Sequence, residues 1–250
     1  MGHPLIHLGY AFELSSRELA MEALCLATTQ YNFLHKYLDD TSYTKVVADT
    51  TSSPLEILEG VCNDKRLNGL FDHQGASNIR PLFDEHEEVI LEHWNRWHIT
   101  DPKKQFEDSQ HAAVALLAAT QQPEDRKYDF FLVHLLTSSH AMRIILPVIP
   151  AKFHVPLIRQ WWLLTTAVYI AQLRPIVALK SVLEYDAGGK DWTWVEKQAL
   201  QGKYATDAHY VKALRAMKEA AQTWGDEGSF YLKAAVKFGE HFNGWGGFGS

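Results

Sequence analysis

The segment that most constrains the fold of this 250-residue chain covers residues 128–143, with the sequence YDFFLVHLLTSSHAMR. Apolar side chains occur nearly all round it, a pattern that predicts a buried helix rather than a surface helix. Its polar residues His134, Thr137 and Ser138 are spaced i, i+3 and i+4, so they share one face. Because burying unpaired polar groups costs free energy, this strip is either a hydrogen-bonded seam or the wall of a site.

The rest of the chain shows the same kind of pattern. Apolar residues recur at helical spacing in several further segments, among them residues 4–38, 82–97, 156–185, 191–200, 206–224 and 228–242. We expect Pro175 to kink the third of these segments. No segment alternates apolar and polar residues for long enough to predict a strand. The sequence therefore predicts an all-α fold, a multi-helix, bundle-like single domain that spans residues 1–250.

Charge and composition exclude two classes of partner. The net charge is −6 and no large cluster of Lys and Arg occurs, so we expect no binding to nucleic acid. The most apolar run, residues 161–171, is too short to span a bilayer, so we expect no membrane association. Cys25 and Cys62 form no CxxC pair and no secretory leader precedes them, which predicts reduced thiols and a cytoplasmic location.

Three of the thirteen histidines lie in apolar helical context on three different segments: His7, His134 and His209. Metal sites in helical bundles take their ligands from facing helices, so this distribution favours a metal site. Lys212 shares the face of His209 near a helix N-terminus, where the helix dipole and burial both disfavour its charge. A neutral lysine can act as a base, or react with carbon dioxide to give an anionic ligand. The alternative is that Lys212 extends to solvent and His209 only begins a helix.

Further polar residues within apolar helices have weaker functional signals. His3 precedes Pro4 and is typical of a helix start, while His140 is about 600° of rotation from His134 and faces another side. Thr137, Ser138 and Asp207 are candidates for hydrogen bonding to a metal-bound imidazole. Arg143 and Tyr169 are candidates for binding a phenolic or carbonyl substrate, and equally for structural hydrogen bonds. The motifs GxSxG, HExxH and the P-loop do not occur, and the glycine-rich GWGGFGS follows no predicted strand, so it is no dinucleotide fingerprint.

Four sequence blocks, GHPLIHLGYAFE, DFFLVHLLTSSHAMRIILP, YIAQLRP and TDAHYVKALRA, resemble the fungal questin oxidase-like proteins in order and spacing. That family is associated with oxidative opening of anthraquinone-type rings, by Baeyer–Villiger-like or dioxygenase chemistry. The resemblance implies an all-helical enzyme with a non-haem iron held by histidines and a carboxylated lysine. In this chain the implied ligands are His7, His134, His209 and Lys212, and either His3 or His140 could replace one of the histidines.

Members of that family carry an upstream region with its own histidine-rich helix, whereas this sequence starts at the HPLIH block. We therefore expect residues 1–250 to be the larger, C-terminal part of the family domain. A missing ligand and uncovered apolar surface would both favour association, either as a homo-oligomer or with a companion chain that supplies the upstream region.

The leading hypothesis is an oxidoreductase of polyketide secondary metabolism that uses dioxygen to open a ring of an anthraquinone or polyphenolic substrate. His134 and Lys212 take the catalytic roles, and the iron keeps open positions for dioxygen and substrate. Aromatic residues available for stacking on a planar ring are Phe130, Trp161, Trp162 and Tyr169. One alternative is a metal-free Baeyer–Villiger monooxygenase that uses NADPH, although no Rossmann-type signal occurs. The other is a non-catalytic helical fragment or partner chain.

Overall fold

The computed structural model describes residues 2–120 and 127–249, and it is 70% helical with almost no strand. The twelve α-helices in this part of the chain are α1 His3–Glu13, α2 Arg17–Thr29, α3 Lys36–Asp39, α4 Pro54–Asn63, α5 Ile79–Asn95, α6 Pro102–Ala118, α7 Phe130–Ile145, α8 His154–Ala171, α9 Lys180–Leu183, α10 Trp192–Gln201, α11 Ala208–Trp224 and α12 Phe230–His241. Two short strands, β1 Tyr128–Asp129 and β2 Trp245–Gly246, pair in parallel. The predicted all-α fold is confirmed.

Helix α7 is the central element, as its apolar sequence predicted. It packs against α1, α6, α8 and α11, and residues 132–142 are buried without interruption. Asp129 caps its N-terminus, since the carboxylate accepts hydrogen bonds from the backbone N–H groups of Phe131 and Leu132. The hydroxyls of Thr137 and Ser138 donate to backbone carbonyls of the preceding turn. Most of the polar strip is thus a satisfied seam within the core.

Two apolar clusters lie on opposite sides of α6 and α7. Leu132 and Leu135 belong to the first cluster, which α4, α5 and α8 complete. Val133 and Leu136 belong to the second cluster, which α11 and α12 complete. A helix that is apolar all round can bury two faces at once, so α7 forms a wall shared by both cores.

One helical segment among the described residues, Phe130–Val148, is long and apolar enough by composition to cross a membrane. In the structure, 67% of this segment is buried inside the molecule. Burial by neighbouring helices on this scale is typical of the central helix of a packed helical domain.

Two predicted long helices are shorter in the structure. The first divides into α1 and α2 at a turn where Ser15 has a φ of 53° and Ser16 caps α2. The segment predicted to continue through Pro175 to residue 185 instead ends at Ala171, so no kinked helix forms there. Its end is followed by Leu173 and Arg174, both with positive φ, at 63° and 53°.

Arg174 connects this turn to the C-terminus of α4. Its guanidinium donates hydrogen bonds of 2.9–3.1 Å to the backbone carbonyls of Val61, Cys62, Asp64 and Leu67 and to the side-chain oxygen of Asn68. Carbonyls at a helix C-terminus lack intrahelical partners and lie at the negative end of the helix dipole. The cation therefore stabilises the end of α4, and this offsets a left-handed backbone that costs roughly 1–2 kcal/mol.

We expect Arg174→Ala to lower the free energy of unfolding by about 3 kcal/mol, because several partly buried carbonyls lose a charged donor at once. Urea unfolding followed by far-ultraviolet circular dichroism measures the loss. Arg17→Ala, at an exposed position on α2, is the matched control and should change stability by less than about 0.5 kcal/mol. Equal losses in the two variants would contradict this role for Arg174.

Candidate metal centre

Three histidines from three helices converge where α1 and α11 pack against α7. They are His3, His134 and His209, and one ring nitrogen of each lies within 4.8 Å of the others. The Nε2 atoms of His3 and His134 are 3.3 Å apart. The ring centroid of His134 is 4.9 Å from that of His3 and 4.9 Å from that of His209. His134 is therefore the central member of the cluster.

The hydrogen bonds and burial of these rings favour their neutral, metal-binding form. Nδ1–H of His134 donates to the carbonyl of Phe130 at 2.7 Å, which leaves the lone pair on Nε2 facing His3. Burial is the largest cause that lowers the pKa of His134 to about 3 and that of His3 to about 4. Burial also lowers the pKa of His209, with a further contribution from the charge of Lys212. Metal binding requires a neutral imidazole. Because burial already favours that form, few protons would have to leave these rings before a metal binds.

One pair of these donors, in His3 and His134, also has the spacing of two ligands of a transition-metal ion. Within the described residues, Nε2 of His209 is buried and has no hydrogen-bond partner, a state that costs about 1–3 kcal/mol. Two nitrogen ligands with metal bonds of about 2.1 Å and an angle near 90–110° are about 3.0–3.4 Å apart. The separation of 3.3 Å between His3 and His134 falls in that range. Without a cation, a proton shared by His3 and His134 would still leave His209 unpaired.

Lys212 lies one helical turn after His209 on α11 and is half-buried. Burial lowers the pKa of its amine, and the carboxylate of Asp207 opposes this effect. Its charge in turn lowers the pKa of both His3 and His209, so it acts on two members of the cluster. In residues 2–120 and 127–249, Lys212 takes part in no salt bridge. The amine is thus half-buried beside the imidazoles, in surroundings that disfavour its charged form.

His7 does not join this cluster, whereas His3, which the resemblance gave as a possible replacement, does. His7 lies one turn further along α1, its ring centroid is 6.4 Å from that of His3, and its Nδ1 is 3.4 Å from a carboxylate oxygen of Glu22 on α2. The helix begins at His3 rather than after it, with Gly2 as the preceding cap. His3 is consequently in the first turn and reaches α7, in the place that the sequence assigned to His7.

His140 and Arg143 lie away from the cluster. His140 Nε2 is 3.5 Å from a carboxylate oxygen of Glu13 on α1, and its Nδ1 is 3.5 Å from the Arg143 guanidinium. Arg143 also donates to Thr223 of α11 at 2.9 Å. His134 and His140 thus point to different sides of α7, as their six-residue spacing implied. This second group joins α1, α7 and α11 on a side of α7 away from the three histidines.

Thr137 and Tyr169 both make structural hydrogen bonds, which for Tyr169 is one of the two roles that the sequence left open. The hydroxyl of Thr137 donates to the carbonyl of Val133 at 3.0 Å, so the hydrogen bond expected for an imidazole comes from the Phe130 carbonyl. Tyr169 is buried and donates to the carbonyl of Pro175 at 2.9 Å. It borders a separate cleft of about 580 Å³ beside α4 and does not contact the histidines.

The sequence that forms this site is similar to the sequences of known proteins. The family described as questin oxidase-like matches residues 1–217, which include the three histidines and Lys212. This chain belongs to the questin oxidase-like family. It is also 26% identical over 233 residues to a Baeyer–Villiger oxidase of Pestalotiopsis microspora, with 86% of this chain and 52% of that protein covered. The chain therefore spans about half the length of the curated relative it matches.

In this questin oxidase-like chain, Phe130 lies beside the cluster as the sequence suggested, together with two aromatic residues that sequence reasoning missed, Trp245 and Phe248. The Phe130 ring lies 4.7 Å from His134 and 4.6 Å from His209, between ring centroids. Trp245 and Phe248 approach it at 5.9 Å and 5.1 Å. Both come from the glycine-rich residues 243–249, here named the C-terminal arm. The sequence signal for Trp245 and Phe248 was that they are two aromatic residues among glycines. The other aromatic candidates from the sequence, Trp161, Trp162 and Tyr169, lie in the core.

Proposed function

We propose that this chain binds a non-haem iron and uses dioxygen to oxidise a planar aromatic polyketide, opening one of its rings. The observation that carries this proposal is the convergence of three neutral imidazoles with a buried Nε2 of His209 that lacks a partner. Imidazole ligands suit iron among other transition metals, and three of them leave positions open for dioxygen and substrate. Bound iron supplies the one-electron chemistry that dioxygen requires. Membership of the questin oxidase-like family supports an oxidoreductase.

Each of the four residues at the proposed metal site has a defined task. His134 holds the centre of the site, and its hydrogen bond to the Phe130 carbonyl fixes the ring and the tautomer. His3 and His209 bring ligands from α1 and α11. The Lys212 amine forms a bond to the carbon of carbon dioxide and releases a proton, which gives a carbamate oxygen as an anionic ligand. Support for this last step is the lowered pKa of the amine, because only the neutral amine reacts.

The test of the proposal is metal analysis combined with oxygen uptake. Chain purified aerobically without chelator, or reconstituted anaerobically with Fe(II), should retain about one iron per chain by inductively coupled plasma mass spectrometry. Oxygen uptake with a hydroxylated anthraquinone should require that iron, need no NADPH, and stop after chelation. A preparation that retains no transition metal by either route would contradict the proposal.

A second candidate function is a metal-free Baeyer–Villiger monooxygenase supplied with electrons by NADPH. The Pestalotiopsis relative is a Baeyer–Villiger oxidase, and this similarity favours oxygen insertion of this kind. Oxygen uptake that depends on NADPH and survives chelation would identify it. Because the chain spans half of that relative, we also propose that a second copy or a companion chain adds further ligands. For a non-catalytic partner chain, in contrast, His134 substitution would change neither metal content nor activity.

A further inference from the structure

The C-terminal arm, residues 243–249, lies beyond the family match and is held against the site at three points. Strand β2 pairs with β1, which leads directly into α7. The indole N–H of Trp245 donates to the carboxylate of Asp207 at 2.8 Å, and Asp207 caps the helix that carries His209. The side-chain amide of Gln172, in the orientation that satisfies its partners, donates to the carbonyl of Gly247 at 3.1 Å. The arm is therefore fixed relative to both α7 and α11.

Holding the arm in this path has a conformational cost. Gly247 and Gly249 have φ angles of 85° and 75°, which other residues rarely adopt. A Cβ at Gly247 would lie 2.5 Å from a carboxylate oxygen of Asp129, and one at Gly249 would lie 2.6 Å from the carbonyl of Gln74. Ordering glycines loses more backbone entropy than ordering any other residue. The contacts of the arm must offset this loss.

What the ordered arm presents is an exposed aromatic ring. Phe248 is 57% exposed. Its side chain therefore gains only part of the free energy that full burial of a phenylalanine would contribute to holding the arm in place. Its ring lies 5.1 Å from Phe130 and 5.9 Å from Phe131, within the range of aromatic pairing. With Trp245, these residues form a continuous aromatic shelf. Phe130 contacts His134 and His209 at one end of the shelf, and Phe248 is exposed to solvent at the other.

We propose that Phe248 is a specificity-determining residue that stacks on a planar, fused-ring aromatic substrate and holds its near edge at the three histidines. This inference rests on the proposed function, because it concerns the substrate of the same site. A flat quinone or polyphenol covers the exposed face of Phe248 and completes the row of rings that begins at His134. Non-planar or aliphatic molecules of equal size lack this stacking and bind less well.

The experiment measures binding of anthraquinone-2-sulfonate, a soluble planar quinone, by isothermal titration calorimetry to iron-loaded and iron-free protein. Phe248→Ala should weaken the affinity by about 3- to 10-fold, whereas Phe248→Trp should retain it. Iron content should equal that of the wild type in both variants. Phe153→Ala is the matched control, since Phe153 is 49% exposed on the turn before α8 and should leave the affinity unchanged.

Equal affinity of the wild type and Phe248→Ala for the quinone, or no binding by the wild type, would overturn the inference. Full affinity in Phe248→Leu would also overturn it, because an aliphatic side chain cannot stack. These results leave the proposed function intact if iron is retained. Failure to retain iron defeats the proposed function instead, and the iron-free titrations still decide whether Phe248 binds a planar ring.

Discussion

Alanine in place of His134 is expected to abolish stable iron binding, with a loss of affinity of more than about 100-fold, and with it oxygen-dependent turnover. In the proposed site His134 is the central ligand, since its Nε2 faces His3 at 3.3 Å and its ring lies 4.9 Å from that of His209. Its removal leaves two imidazoles on separate helices, α1 and α11, with no donor from the helix between them. Iron per chain and oxygen uptake are the measurements.

The matched control is His98→Ala, which removes an exposed histidine that does not belong to the cluster. It should leave iron content and oxygen uptake unchanged. Because truncation of His134 also creates a cavity in α7, the free energy of unfolding of the iron-free variant should be measured beside the metal content. Normal iron content in a folded His134→Ala protein would show that the three histidines do not bind the metal.

Alanine in place of Gly9 is expected to weaken iron binding by about 10- to 100-fold, although Gly9 touches no ligand. A Cβ at this position would lie 2.6 Å from the Cβ and 2.7 Å from the Cα of Ala141 on α7. Ordinary contact between carbon atoms is about 3.5–4.0 Å, so α1 must move away from α7 by about 1 Å. His3 lies on the same short helix and moves with it, whereas metal ligands tolerate displacements of only about 0.2 Å. Iron titration of the purified variant measures the effect.

Gly60→Ala is the control for this substitution, because it places the same methyl group in helix α4. There the nearest atom is the guanidinium of Arg96, a flexible side chain that can turn aside. Iron affinity should stay at the wild-type value in Gly60→Ala. Overpacking at Gly9 costs about 1–3 kcal/mol, and the better helix propensity of alanine offsets about 1 kcal/mol of it. A Gly9→Ala protein with wild-type iron affinity would show that the position of α1 does not control the site.

The sequence by itself determined the fold class and the central helix. Apolar side chains between Phe130 and Leu136 occur on nearly all sides of the helix, and only a helix buried by several neighbours accommodates that pattern. The same local reading identified His134 and His209 as histidines in apolar helical context, and Lys212 as their half-buried neighbour on α11. These features depend on residues within one helical turn of each other, which is the range over which sequence periodicity carries information.

Tertiary structure alone decided which histidine of α1 reaches the cluster. His3 and His7 are one turn apart and share a face, so periodicity cannot separate them. The choice depends on how far α1 is displaced along α7, and the close contact of Gly9 with Ala141 sets that displacement. The packing of α2 then gives His7 a carboxylate neighbour in Glu22.

The aromatic shelf also required the folded chain. Strands β1 and β2 have two residues each, too few for an alternating pattern, and all six helices from α7 to α12 separate them in sequence. Trp245 and Phe248 reach Phe130 only because this pairing and the bond to Asp207 return the arm to the start of α7. Local composition predicts which side chains a segment carries, whereas long-range packing determines what those side chains meet.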